Sequence, residues 1–178
     1  MPKQYTSRQI AAHFSQSYID QSRDTEVISG FIKTLEGRVP KLRKSPDRQR
    51  YQDVSSLLYC VKDLRGSCRD AGTCAENGAK KDCGKNINRA ANRLQEIGQL
   101  ITEIRHNYPD EYEQSCKGFL KEWRALEFDK GEKFLQNAEV AERRSPGIEK
   151  TEDHGIMPAS EPEKAVENKP AAPAAIGF

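Results

Sequence analysis

The sequence lacks most of the signatures by which a chain declares its chemistry. It has three histidines, one tryptophan and two methionines in 178 residues, and aromatics make up 7%. It contains no glycine-rich phosphate loop, no HExxH helix and no pair of acids at a spacing that suggests chemistry. Catalysis is therefore not expected, nor is a cofactor. No stretch approaches the ~18 consecutive apolar residues of a membrane-spanning helix. The opening MPKQYTSRQIAAHFSQ has no continuous apolar core of the secretory type. The default expectation is a cytoplasmic protein with reduced or metal-bound cysteines. A signal-less secreted bacterial effector is kept as an alternative.

Charged residues make up 31% and hydrophobic ones 35%. This is a polar composition, but not one that forces disorder. The apolar residues that are present recur with helical spacing. Thr6 and Gln9 have the spacing of a capping box, and Ile10, Phe14 and Tyr18 follow on one face. Val27, Ile28, Phe31, Ile32 and Leu35 form a second stripe, which Gly37 and Pro40 are expected to end. Ser45-Pro46-Asp47 reads as a helix start, before a stripe of Val54, Leu57, Leu58, Val61 and Leu64 that Gly66 is expected to terminate. From Ile87 through Ala90, Ala91, Leu94, Ile97, Ile101 and Ile104 to Tyr108 runs the strongest pattern, about three heptads of a coiled-coil-like seam. Pro109 opens another helix, with Tyr112, Cys116, Phe119, Trp123 and Leu126 on one face. A fainter repeat resumes at Phe134, Leu135 and Ala138.

The fold class expected from these stripes is all-α, a bundle of four or five helices over residues 1–144. Residues 145–178 change character, with five of the nine prolines, six acids and three lysines, and read as a disordered acidic Pro/Ala-rich tail. Its charge of −3 against a total of +2 leaves the helical part at +5.

Between the two longest stripes lies a segment without periodicity, 66–84, which reads as a long hairpin loop. It holds Cys68, Cys74 and Cys83; Cys60 lies on the preceding helix and Cys116 on a later apolar face. Three readings compete for these thiols. Cys68, Cys74 and Cys83 with Cys60 or a histidine supply zinc-ligand chemistry, but the intervals of five and eight residues contain no short ligand pair. Cys68 and Cys83 at the hairpin mouth could close a disulfide in an oxidising location. Free thiols, with Cys60 and Cys116 acting as small apolar residues, complete the set. A nucleophilic role needs a nearby base, and only His13, His106 and His154 are available.

Two basic segments, 38–50 and 80–93, bring nucleic acid into consideration. The first carries Arg38, Lys41, Arg43, Lys44, Arg48 and Arg50 against the single acid Asp47; the second carries Lys80, Lys81, Lys85, Arg89 and Arg93. The leading expectation is a non-catalytic helical interaction or regulatory protein that displays loop 66–84 to a protein partner. A nucleic-acid-binding accessory protein using the basic segments is the alternative.

Overall fold

A computed structural model describes residues 3–143, and all regular structure in that range is helical. Seven helices follow in order: α1 (Ser7–Asp20), α2 (Asp24–Arg43), α3 (Arg48–Glu76), α4 (Lys80–Asn107), α5 (Pro109–Ser115), α6 (Lys117–Arg124) and α7 (Lys130–Arg143). The all-α class stands; the expected count of four or five helices is corrected to seven among the described residues. The segment expected as a disordered tail, 145–178, lies outside the described residues.

Each end of α1 has a local cause. Thr6 accepts from the Gln9 amide and the Gln9 side chain accepts from the Thr6 amide, closing the expected capping box. Gln21 then takes a left-handed conformation, φ 55°, and its amide reaches back to the carbonyls of the last turn. The chain re-enters α2 at once, so the two apolar stripes belong to two separate helices. Pro40 does not end α2. It sits on the exposed side, where the missing amide donor costs least, while Leu42 one turn-face away is buried. The Ser45-Pro46-Asp47 start is real, but Asp47 is the cap: its carboxylate accepts from the Arg50 amide at 3.0 Å.

The largest correction concerns 66–84. It is not a loop. α3 continues past Gly66 to Glu76, and the connection to α4 is only Asn77, Gly78 and Ala79. Leu57, Val61, Leu64, Cys68, Ala71 and Ala75 extend one stripe, with the side chains becoming smaller toward the tip. Small residues suit close crossing, and Gly72 is where it occurs: a Cβ there would lie 2.9 Å from the Ser15 carbonyl oxygen and 3.1 Å from Ile19 Cγ1. Gly78, in the short turn between the two helices, has turn geometry, with φ +75°.

α3 and α4 therefore form a helical hairpin of about 43 Å, at 1.5 Å per residue. α1 lies across both helices, α2 packs on α3, and α7 covers α1. The core runs continuously from Ile10 and Phe14 through Leu57, Leu64, Leu94 and Ile101. An aromatic cluster joins the peripheral helices to it: Phe31 stacks on Phe119 at 3.9 Å, and Phe14 on Trp123 at 5.3 Å. No helix among the described residues is long and apolar enough to cross a membrane.

Candidate functional site

The cysteines are distributed along the hairpin and its neighbours rather than gathered in a site. Cys60, Cys68, Cys83 and Cys116 are buried and Cys74 is half-buried. Cys68 keeps its thiol, so the Cys68–Cys83 bridge is not formed; its sulfur lies 3.7 Å from the Ala11 carbonyl oxygen it donates to. Burial pushes the Cys68 and Cys116 thiols up to about 12. Burial, with the hydrogen bond Cys60 donates to Glu96, pushes Cys60 up to about 11. Among the described residues no group of three or more histidine, cysteine or acidic side chains is placed to hold a metal ion, so Cys68, Cys74 and Cys83 do not converge as zinc ligands. Alkylation of the native protein is expected to modify Cys74 first, with the other four thiols reacting only after denaturation. Mass spectrometry of a time course checks this, and early labelling of Cys68 or Cys116 would contradict the packing.

The one buried histidine among the described residues is committed on both nitrogens. His13 Nδ1 accepts from the Lys130 amide at 3.3 Å, which leaves the proton on Nε2, donated to Asp24 at 2.8 Å. Phe14 and Phe128 meet its ring edge-on. One imidazole on α1 thus pins the starts of α2 and α7. His106 is exposed at the far end of α4, and His154 lies outside the described residues.

The six basic residues expected to act together in 38–50 are divided by the fold. Arg38 and Arg50 turn inward onto Glu111, whose side chain is 0% exposed. Arg38 donates to both Glu111 oxygens, at 2.8 and 2.6 Å, and Arg50 donates at 2.8 Å while also reaching Asp110 at 2.7 Å. Burial by itself would raise the Glu111 carboxyl; hydrogen bonds from Arg38, Ser115 and Arg50 outweigh it and hold the group at about 2. Lys41, Arg43, Lys44 and Arg48 remain exposed. In 80–93, Arg89 and Arg93 both pair with Asp63 at 2.6 Å, and Arg93 also meets Glu96 while covering the Tyr59 ring. These two arginines are thus neutralised within the hairpin.

An open cleft lies at the hairpin end, where α1, α3, α4 and α7 converge. A cleft of 380 Å³ has Ile19, Ala75, Phe134 and Ala138 on its apolar walls, with Glu76 and Lys80 among its polar groups. A second cleft of 370 Å³ shares Ile19 and Glu76 and reaches Tyr18 and Arg69. Both volumes are within the lower range of ligand and side-chain pockets. Sequence reading pointed to this part of the chain for its cysteines, yet the cleft is made by α1 and α7 closing over the helical tip. No known protein family, curated protein or solved structure matches the chain.

Proposed function

We propose that the chain is a non-catalytic α-helical interaction protein that receives apolar side chains of a partner helix at the hairpin end. The observation that carries this reading is the 380 Å³ cleft, whose walls come from four helices and whose polar groups include a carboxylate and an ammonium. An amphipathic helix presents apolar anchors at successive turns flanked by charges, the complement of such a groove. The reactive side chains support the same reading. The thiols of Cys60, Cys68 and Cys116 are held protonated by burial, and His13 has no nitrogen left for a substrate.

Cleft substitution tests it. Ala138→Glu with Lys80→Glu places two carboxylates in the groove at half-buried positions, so helicity should be retained. A photo-crosslinker at Ala75 should yield a discrete partner adduct in native extract that is at least tenfold weaker in the double variant. A crosslinker at Ser56, far down the same helix, should yield none. Equal adducts from both positions, or adducts indifferent to the two carboxylates, would refute the cleft as the docking site.

A further inference from the structure

The end of the bundle opposite the cleft carries a second, different surface. There α2 ends and α3 begins, joined by a turn whose amides are all spent locally: Ser45 N–H on the Leu42 carbonyl at 2.9 Å, Asp47 N–H on the Ser45 hydroxyl at 3.2 Å. Lys41, Arg43, Lys44 and Arg48 project from this turn, exposed, and none forms an ion pair among the described residues. α4 ends beside it, since the Arg50 guanidinium lies 5.6 Å from the Tyr108 ring centre, and Arg105 and His106 are exposed in the last turn of that helix.

Helix-end charge does not account for so many cations. The C-termini of α2 and α4 contribute about half a negative charge each, and the N-terminus of α3 returns about half a positive one. With the exposed Asp47 carboxylate on the same turn, that is roughly one and a half charges to be answered by four unpaired side chains. The turn is also held in place: Arg38 and Arg50, from the two helices it joins, grip the same Glu111 carboxylate. Cations presented on a fixed turn lose less freedom on binding than cations on a mobile segment.

From this arrangement we infer that the α2–α3 turn is a docking surface for the phosphodiester backbone of nucleic acid, read without base specificity through Lys41, Arg43, Lys44 and Arg48. The side chains nearest the turn favour this over a lipid surface: Leu42 is buried and Val39 half-buried, so no large apolar group stands ready to enter a bilayer. Arg38 and Arg50 take no part in the contact; they hold the turn that makes it. The site is independent of the hairpin cleft, and either can fail without the other.

The experiment uses the full chain and a short labelled DNA duplex of mixed sequence, followed by fluorescence anisotropy over a salt series. Four phosphate contacts at about 0.9 counterion each give a log–log slope near −4. Arg43→Glu/Lys44→Glu should weaken binding at least tenfold and reduce the slope to about −2. Lys33→Glu/Lys121→Glu makes the same charge change on exposed residues of α2 and α6 and should keep the slope. No binding by the wild-type chain overturns the inference, as does equal weakening by the two double variants, which would mean bulk charge alone. Binding to phosphatidylserine vesicles or poly-glutamate as tight as to the duplex would overturn it in favour of a lipid or an acidic protein. Circular dichroism of both variants confirms that they remain folded.

Discussion

Replacing Glu111 with glutamine should lower the unfolding free energy by about 3 kcal/mol, and with it the melting temperature by roughly 10 °C. The carboxylate is fully buried between two guanidinium groups that are each 19% exposed. Removing its charge leaves Arg38 and Arg50 facing each other across a neutral amide, and partial access to water limits the penalty to the lower end of what a broken buried pair costs. The pH dependence gives a second, independent reading. The group titrates near 4.5 when unfolded and near 2 when folded. A depressed folded value means that the stabilisation is complete above pH 4.5 and is lost as pH falls toward 2. A shift of this size corresponds to about 3 kcal/mol over that window. Chemical denaturation at pH 7 and at pH 3 should therefore show the difference between wild type and Glu111→Gln shrinking in acid. A difference that stays constant would mean the carboxylate acts through its shape and not its charge.

Gly131→Ala should be nearly as damaging, for a steric reason. A Cβ at this position would lie 2.0 Å from the Gln9 carbonyl oxygen, 2.8 Å from its carbon and 3.1 Å from its Cα. All three are backbone atoms of α1, so no side-chain rotation relieves the overlap and α7 has to move away. Phe134, 6% exposed, is then uncovered, and the bond from the Lys130 amide to His13 is lost. Together these amount to about 3 kcal/mol, mostly the apolar burial of one aromatic ring. Hydrogen exchange should find α7 deprotected while the amides of α3 and α4 remain slow. Gly37→Ala is the matching control. Its Cβ meets nothing within 4 Å on an exposed face of α2, so helix propensity alone should stabilise the chain by up to about 1 kcal/mol. If Gly131→Ala behaves like Gly37→Ala, the close approach of α1 and α7 is wrong.

How much of this was legible in the chain depends on the range over which each feature is written. The capping box at Thr6, the acid at the start of α3 and the apolar faces of α1, α2 and α4 are local patterns, and the helices follow them. The loop expected at 66–84 is a helix for a physical reason: glycine and cysteine are common in loops and metal sites, but they are also small. Inside a helix that crosses another at close range, small residues are the packing solution, and Leu64, Cys68, Ala71 and Ala75 keep the 4-3-4 spacing of the stripe before them. That spacing was the available signal. The Glu111 cluster had none. Its partners are 73 and 61 residues away, and nothing in the neighbourhood of Asp110 and Glu111 distinguishes a first-turn acid in water from one buried between arginines. The division of the basic segment into two inward and four outward side chains was hidden for the same reason. The cleft, too, is assembled from four helices and exists only in three dimensions.

The contact between α1 and α7 has a consequence for the order in which the chain can assemble. His13 and the Lys130 amide are 117 positions apart, whereas the α3–α4 hairpin needs only a three-residue turn and contacts close in sequence. Local contacts form faster because little loop entropy has to be lost before they gain anything. On the ribosome, the hairpin can close while α7 is still unsynthesised, leaving the face of α1 that carries Gln9 and His13 bare. The bundle is finished only when the last helix emerges, and nascent chains halted before residue 130 should offer that bare face to chaperones.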